Sequence, residues 1–230
     1  MALIRLLAAL LAGLCMYTVV APAIAQSARA RGAADIDLPA RLKEVESDAK
    51  LTDTTLKTGR KVAAVCANCH GEGGNSLKPD IPNLAGQNPA YLIEQLRKFA
   101  DGRRRNEFME GMIKAMNNDE KIGMVLFYAS QKVVHKPASN AALAAKGKDY
   151  FSKTCWRCHG EDGRGNEKFA RIAGQQPDYL RLTLQRYRAG TGVRVDPLMA
   201  ATTRLMTDAD IDAVVVYVAA MNLDSPSQQK

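Results

Sequence analysis

The chain has 230 residues, of which 47% are hydrophobic and 24% are charged, and its formal net charge is +8. This length suffices for one large domain or two small ones, and the apolar content excludes wholesale disorder. The basic balance suits nucleic acid, an anionic surface or an acidic protein partner, although an excess of this size also occurs on an ordinary solvated surface.

Residues 1–25 are predicted to be a signal peptide. Arg5 is their only charge, an apolar stretch runs from about residue 6 to residue 20, and Ala23-Ile24-Ala25 has the small-x-small pattern of a cleavage site. An uncleaved anchor is the alternative, but the stretch is short for a span, and no later segment reaches the roughly 18 apolar residues that a transmembrane helix needs. We therefore expect a soluble periplasmic protein that begins near Gln26. An exported chain without a nucleic-acid-binding motif is not expected to bind nucleic acid.

Residues 26–53 are predicted to be an N-terminal extension that stands outside the rest of the pattern. Leu38, Leu42, Val45 and Ala49 have helical spacing within it. This spacing favours an extra helix, and a flexible arm is the alternative.

The segments that follow have the pattern of helices joined by loops. A short amphipathic helix is predicted over residues 54–65, and a glycine-rich loop follows the first cysteine pair. In each half of the chain a middle helix is expected to begin after a proline, Pro89 or Pro177. A last helix is expected to open after the caps Asn117 and Asn118 or Thr207 and Asp208. No convincing alternating strand pattern occurs, so the predicted fold class is all-α.

The second half of the chain repeats the first. The segment Cys66–Glu72 matches Cys155–Glu161 at an offset of 89, and Leu84–Leu92 matches Ile172–Leu180 at an offset of 88. Two copies of this length are too few and too long for a solenoid, and they predict two homologous globular domains. Polar residues around Pro137 mark the boundary between them. The predicted domains cover residues 54–136 and 137–230.

Each copy contains a Cys-x-x-Cys-His sequence, the attachment motif of c-type haem. Two thiols at this spacing reach the two vinyl groups on one porphyrin edge, and the adjacent histidine then ligates the iron from the proximal side. Two disulfides, a zinc site and a redox dithiol are the alternatives. The zinc site would need both pairs in one domain, and the dithiol would need a βαβ context. We therefore predict two covalently bound haem c groups, at Cys66, Cys69 and His70 and at Cys155, Cys158 and His159.

Methionine is the expected second axial ligand of each iron. The remaining histidine of the mature chain, His135, is unrepeated and cannot serve two irons, so it is interpreted as a surface or linker residue. Met199 lies 40 residues after the histidine of its motif and Met109 lies 39 after its own, and each stands seven residues before another methionine. Met112 is an alternative to Met109. Met116, Met124 and Met206 are expected to lie in the core.

These motifs resemble the class I cytochromes c, and their tandem arrangement is similar to the dihaem cytochrome c4 family. The resemblance covers about residues 54–222 and also rests on Pro82–Gln87, on its counterpart Ala173–Gln175, and on the repeated Tyr-Leu pairs and methionines. It implies two small helical domains that each wrap one haem and face each other across a pseudo-two-fold axis, with propionate edges near their interface. It also implies that the Pro82 carbonyl orients His70, whereas Ala170 stands at this position in the second repeat.

With histidine and methionine bound, neither iron has an open position, so we expect outer-sphere electron transfer and no catalysis. The predicted function is a periplasmic carrier that passes electrons one at a time between redox proteins, towards a terminal oxidase or reductase. The alternatives are an electron-transfer subunit of a dehydrogenase complex and a catalytic dihaem enzyme. Seven arginines near the methionine segments indicate either a docking patch for an acidic partner or a solvated face: Arg103, Arg104, Arg105, Arg181, Arg186, Arg188 and Arg194.

Overall fold

The structure is a computed structural model that describes residues 37–223. The predicted signal peptide, its cleavage site and the first part of the extension lie outside the described residues. The described residues from Leu38 to Leu223 belong to one compact unit, which includes both attachment motifs. Regular structure between residues 37 and 223 is helical and includes no strand, so the all-α prediction is confirmed.

The helices follow the repeat, with five in the described part before the second repeat and five within it. A short 3-10 turn over Glu72–Gly74 follows the first cysteine pair. The helices are α1 (Leu38–Ser47), α2 (Ala49–His70), α3 (Pro89–Ala100), α4 (Glu107–Ala115), α5 (Asn118–Ala129), α6 (Ala141–Lys153), α7 (Trp156–His159), α8 (Pro177–Ala189), α9 (Pro197–Thr203) and α10 (Asp208–Ala220).

The described part of the N-terminal extension, from residue 38 onward, is helical and is not a flexible arm. Helix α1 buries Leu42 and Val45 and packs against α2, α3 and α5. Asp48 then caps α2, because its carboxylate accepts hydrogen bonds from the amides of residues 50 and 51. Helix α2 therefore begins at Ala49 and continues through the cysteine pair to His70, so the helix predicted over 54–65 is too short at both ends.

The first and last helices of each repeat cross at small residues. In the first repeat Gly59 of α2 lies directly against Gly123 of α5, and in the second Gly147 of α6 lies against the backbone of Ala213 in α10. A side chain at any of these glycines would meet backbone atoms of the opposite helix. The crossing fixes the end of α2 that carries the first attachment motif.

The remaining helix boundaries follow the predicted signals. Helices α3 and α8 begin at Pro89 and Pro177, where the missing amide proton costs no hydrogen bond. Helices α5 and α10 open with a capping box, formed by an asparagine or threonine cap and an acidic residue three positions later. These predicted helix starts are confirmed.

Two apolar cores hold the repeats, and the second core extends across the boundary. The first is built from α1 to α5 and contains Ile122, Val125 and Tyr128. The second contains Phe151 and the apolar face of α10, together with Ala85 and Val133 from the first half of the chain. Apolar packing therefore continues from one repeat into the other.

Candidate haem-binding sites

The two attachment motifs lie at the ends of helices. Cys66, Cys69 and His70 form the last turns of α2, whereas Cys158 and His159 lie on the short helix α7, which follows a break after α6. Each helix ends at a glycine with positive φ, 79° at position 71 and 77° at position 160. This left-handed backbone turns the chain away immediately after each histidine, as only glycine does without strain.

Both histidines are held through Nδ1 by a backbone carbonyl. His70 Nδ1 donates to the oxygen of Pro82 at 2.9 Å, and His159 Nδ1 donates to the oxygen of Ala170 at the same distance. Burial lowers the pKa of both rings, and the backbone acceptor opposes this shift. Each imidazole is therefore neutral at neutral pH with Nε2 free, which is the form that ligates a metal.

The four cysteines of the described chain are unpaired. Burial raises the pKa of the Cys66 thiol, and it raises that of Cys155 to about 11. Between residues 37 and 223, no cluster of three or more His, Cys, Asp or Glu side chains forms a metal site. Two unpaired thiols beside a histidine, with no further His, Cys, Asp or Glu clustered around them, fit covalent haem better than a disulfide or a zinc site.

The methionine segments are short helices, which were not among the helices predicted from the sequence. Met109 is the third residue of α4, and its amide donates to the side chain of Asn106 at 3.0 Å. Met199 is the third residue of α9, and its amide donates to Asp196 at 3.1 Å. The two methionines therefore have the same helical position and the same cap. Met112, one turn further along α4, corresponds to Thr202.

The surroundings of the other methionines and of His135 agree with the roles predicted for them. Met124 and Met206 are buried, and Met116 packs against the first core. His135 Nδ1 donates to the oxygen of Met221 at 2.9 Å, and its Nε2 accepts from the amide of Leu223 at 3.3 Å. Because both ring nitrogens are engaged, His135 joins the linker to the C-terminal segment and is not placed as an axial ligand.

Most of the arginines near the methionine segments have partners within the chain. Arg103 pairs with Glu94 and Asp101, and Arg105 pairs with Glu110. In the second repeat, Arg181 and Arg188 pair with Asp212 and Asp208. These pairs disfavour the interpretation of the segment as a free basic docking patch.

Arg104 and Arg194 turn inward and meet across the two repeats. Arg104 Nη2 donates to the hydroxyl of Tyr179 at 3.1 Å, and Arg194 donates to the hydroxyls of Tyr179 and Tyr91. Burial alone would raise the pKa of Tyr179, but the two guanidiniums outweigh it and lower the pKa to about 7. Neither arginine has a carboxylate partner among the described residues.

Arg171 is a further cation without an anion. It is 1% exposed, and its Nε and Nη2 lack any hydrogen-bond partner in the described structure. Its position corresponds to the neutral Asn83 in the first repeat. Buried guanidiniums are normally paired, so Arg171 indicates that a carboxylate of a bound group completes its surroundings. The haem propionates supply such carboxylates, and the donor set of each repeat therefore fits haem c.

The roles of Gln87 and Gln175 were not predicted from the sequence. Both end the repeated Ala-Gly-Gln segment, and both side chains form hydrogen bonds with the backbone of the other repeat. Their recurrence at equivalent positions was the available signal. Nothing in that recurrence specified a contact between the repeats.

Comparison with known proteins gives the family. The cytochrome c family model matches residues 56–125 and 144–222. Cytochrome c4 from Thiocapsa roseopersicina is 33% identical over 175 residues, which cover 70% of this chain and 90% of the relative. The thiosulfate dehydrogenase electron acceptor from Thiomonas intermedia (strain K12) is 35% identical over 180 residues, which cover 72% and 82%.

The fold agrees with this assignment. The crystal structure of reduced recombinant cytochrome c4 from Pseudomonas stutzeri superposes with a TM-score of 0.67 at 28% identity, over 72% of this chain and 98% of that one. No helix between residues 37 and 223 is long and apolar enough to cross a membrane. The chain belongs to the cytochrome c family and, within it, to the cytochromes c4, which carry two covalently bound haem c groups and transfer electrons without being enzymes themselves.

Proposed function

We propose that this cytochrome works in the periplasm, where it takes single electrons from one redox protein and passes them to a terminal oxidase or reductase. The observation that carries the proposal is the repeated histidine geometry. In both repeats a neutral imidazole, buried at His70 and half-buried at His159, has its Nδ1 bound to a carbonyl 2.9 Å away, beside two free thiols. The periplasmic location rests on the predicted signal peptide of residues 1–25.

We propose His70 and Met109 as the axial ligands of the first haem, and His159 and Met199 as those of the second. The thiols of each motif hold the haem as thioethers. The equivalent helical positions of the two methionines favour Met109 over Met112. When bound, the haem iron supplies the one-electron couple. With one histidine and one methionine from each repeat as ligands, the chain would hold this couple at a fixed position without a ligand site for a substrate. The buried guanidinium of Arg171 would be available to a propionate carboxylate.

The acidic character proposed for the partner rests on the basic net charge and not on the arginine-rich segments. This charge is +8 for the full sequence, and it is lower by one, that of Arg5, once the predicted signal peptide is removed. Those arginines are largely committed to ion pairs within the chain. If the charge steers docking, the electron-transfer rate should fall steeply as salt is added. A rate that is independent of salt would contradict an acidic partner.

An electron-acceptor role towards a dehydrogenase is the second candidate. It is favoured by the relative named as a thiosulfate dehydrogenase electron acceptor, which is 35% identical to this chain. Purification from the native host distinguishes the two roles. A stoichiometric enzyme that stays bound at high salt supports a permanent subunit, whereas release of the cytochrome alone supports the free carrier.

Intact mass and a pyridine haemochrome assay test the sites. Two covalent haems on a chain that begins at Gln26 are expected. Met109→Ala and Met199→Ala should each abolish the methionine–iron charge-transfer band of one haem, while Met112→Ala should keep both bands. Loss of a band in Met112→Ala, with both bands present in Met109→Ala, would assign the first ligand to Met112. High-spin iron in the parent protein would contradict the electron-carrier function.

A further inference from the structure

The peptide unit that orients His70 is hydrogen-bonded on both sides. The carbonyl of Pro82 accepts from His70 Nδ1 at 2.9 Å, and the amide of Asn83, on the same peptide, donates to Oε1 of Gln175 at 2.6 Å. Gln175 also donates from Nε2 to the oxygen of Asn83 at 3.0 Å. A side chain of the second repeat therefore holds the peptide that positions the histidine of the first.

The second repeat has the reciprocal arrangement. The carbonyl of Ala170 accepts from His159 Nδ1 at 2.9 Å, and the amide of Arg171 donates to Oε1 of Gln87 at 2.7 Å. Nε2 of Gln87 donates to the oxygen of Arg171 at 2.9 Å. Each proximal histidine is thus linked, through one peptide group, to a glutamine of the opposite repeat.

Both links are shielded from water. Gln87 and Gln175 are each 5% exposed, and the backbone that they hold belongs to buried residues. Hydrogen bonds in series polarise one another, more so where water is excluded. An acceptor on the peptide N–H makes the carbonyl a stronger acceptor for Nδ1–H, which increases the electron donation of the imidazole to a bound metal.

We propose that Gln175 and Gln87 are positioning residues that lower the reduction potential of the haem in the opposite repeat. The inference rests on the proposed ligation by His70 and His159. The contact between the repeats then does more than hold them together, because a change at either proximal histidine is transmitted to a side chain of the other repeat.

The test uses the full-length protein with both haems and follows the haem methyl signals of each repeat by NMR during a redox titration. Gln175→Met removes the acceptor on the peptide and should make the first haem easier to reduce. The expected change in its electron affinity is roughly two- to tenfold, or up to about 60 mV for a one-electron couple. The second haem should be unchanged, and Gln87→Met should give the converse pattern.

Gln175→Glu provides a change of opposite sign. A carboxylate is a stronger acceptor for the Asn83 amide than a neutral amide is, so the first haem should become harder to reduce. Both Gln175 variants lose the hydrogen bond to the Asn83 oxygen. A merely structural effect would therefore have the same sign in both, and that result would overturn the proposal.

Asn88→Leu is the matched control. Asn88 also binds the backbone of the opposite repeat, through Nδ2 to the oxygens of Arg164 and Phe169 at 3.1 Å, and its side chain touches neither histidine-binding peptide. Its backbone amide donates to Oε1 of Gln87 at 3.1 Å, and the substitution keeps this amide. Both potentials should stay at their parent values. Equal shifts of both haems in any of these variants, or unchanged potentials in Gln175→Met with two low-spin haems present, would refute the link. A parent protein without histidine-ligated haems would instead refute the proposed ligation.

Discussion

Replacement of Gly123 by alanine should separate the helices that frame the first haem site. A Cβ at this position would lie 2.6 Å from the carbonyl oxygen of Thr55 and 2.7 Å from the amide nitrogen of Gly59. To bring the nearer contact from 2.6 to 3.4 Å, α2 and α5 must move apart by about 0.8 Å. Overpacking costs about 1–3 kcal/mol, and a displacement of two backbones belongs at the upper end. Loss of a helical glycine returns about 0.5–1 kcal/mol.

The net loss of about 2 kcal/mol should lower Tm by about 4–8 °C. Thermal unfolding of the two-haem protein, followed by circular dichroism, measures it. Gly111→Ala is the matched control, because Gly111 is also helical but has no atom within 4 Å of an added Cβ. This control should be as stable as the parent or gain up to about 1 kcal/mol. Equal stability of the two variants would refute the argument that close backbone contact sets this crossing.

Three further changes test other parts of the fold. Leu42→Ala should destabilise the protein by about 2–5 kcal/mol in denaturant unfolding, because α1 is buried in the first core; a loss below 1 kcal/mol would show that α1 is dispensable. Asn106→Ala and Asp196→Ala should each cost about 1 kcal/mol and weaken the methionine–iron band of their own haem only. Hydrogen bonds from Thr207 lower the pKa of Asp210 below its ordinary 3.8. The ionised Asp210 side chain therefore stabilises the fold above pH 3.8, and this contribution is lost as the pH falls through the lowered pKa. The stability difference between the parent and Asp210→Asn should therefore shrink in that acid range; a constant difference would contradict this role.

The parts of the molecule that depend on local pattern were predictable. The attachment motifs, the proline starts of α3 and α8, and the caps of the last helices are each encoded within a few residues. The length of α2 was not, because its start depends on Asp48, which lies before the repeated unit. The short helices around Met109 and Met199 were also missed, since seven to nine residues give too little periodicity to separate a helix from a loop.

Contacts between the repeats could not be predicted from sequence patterns. Arg104 lies in a run of three arginines and Arg194 lies between two valines. Neither pattern specifies a partner, yet tertiary packing turns both side chains towards tyrosines. Gln87 and Gln175 are polar side chains beside a glycine, which is an ordinary loop pattern. Burial of such groups is possible only because the opposite repeat supplies partners for their hydrogen bonds.

The two haem sites differ most at the residue that follows the histidine-binding carbonyl, and not at the residue that carries this carbonyl. Pro82 and Ala170 differ as side chains, but both accept from their histidine at 2.9 Å, because the acceptor is the backbone. The next residue is Asn83 in one repeat and the buried Arg171 in the other.

Burial lowers the pKa of Arg171 only to about 10, so the guanidinium is charged at neutral pH and favours the reduced state of the second haem. Arg171→Asn should make that haem harder to reduce by an amount on the order of 1 kcal/mol. The sign is the same whether the arginine acts alone or neutralises a propionate, since its loss makes the surroundings more negative in both cases. A redox titration that resolves the two haems would contradict this account if the second potential stayed constant or rose.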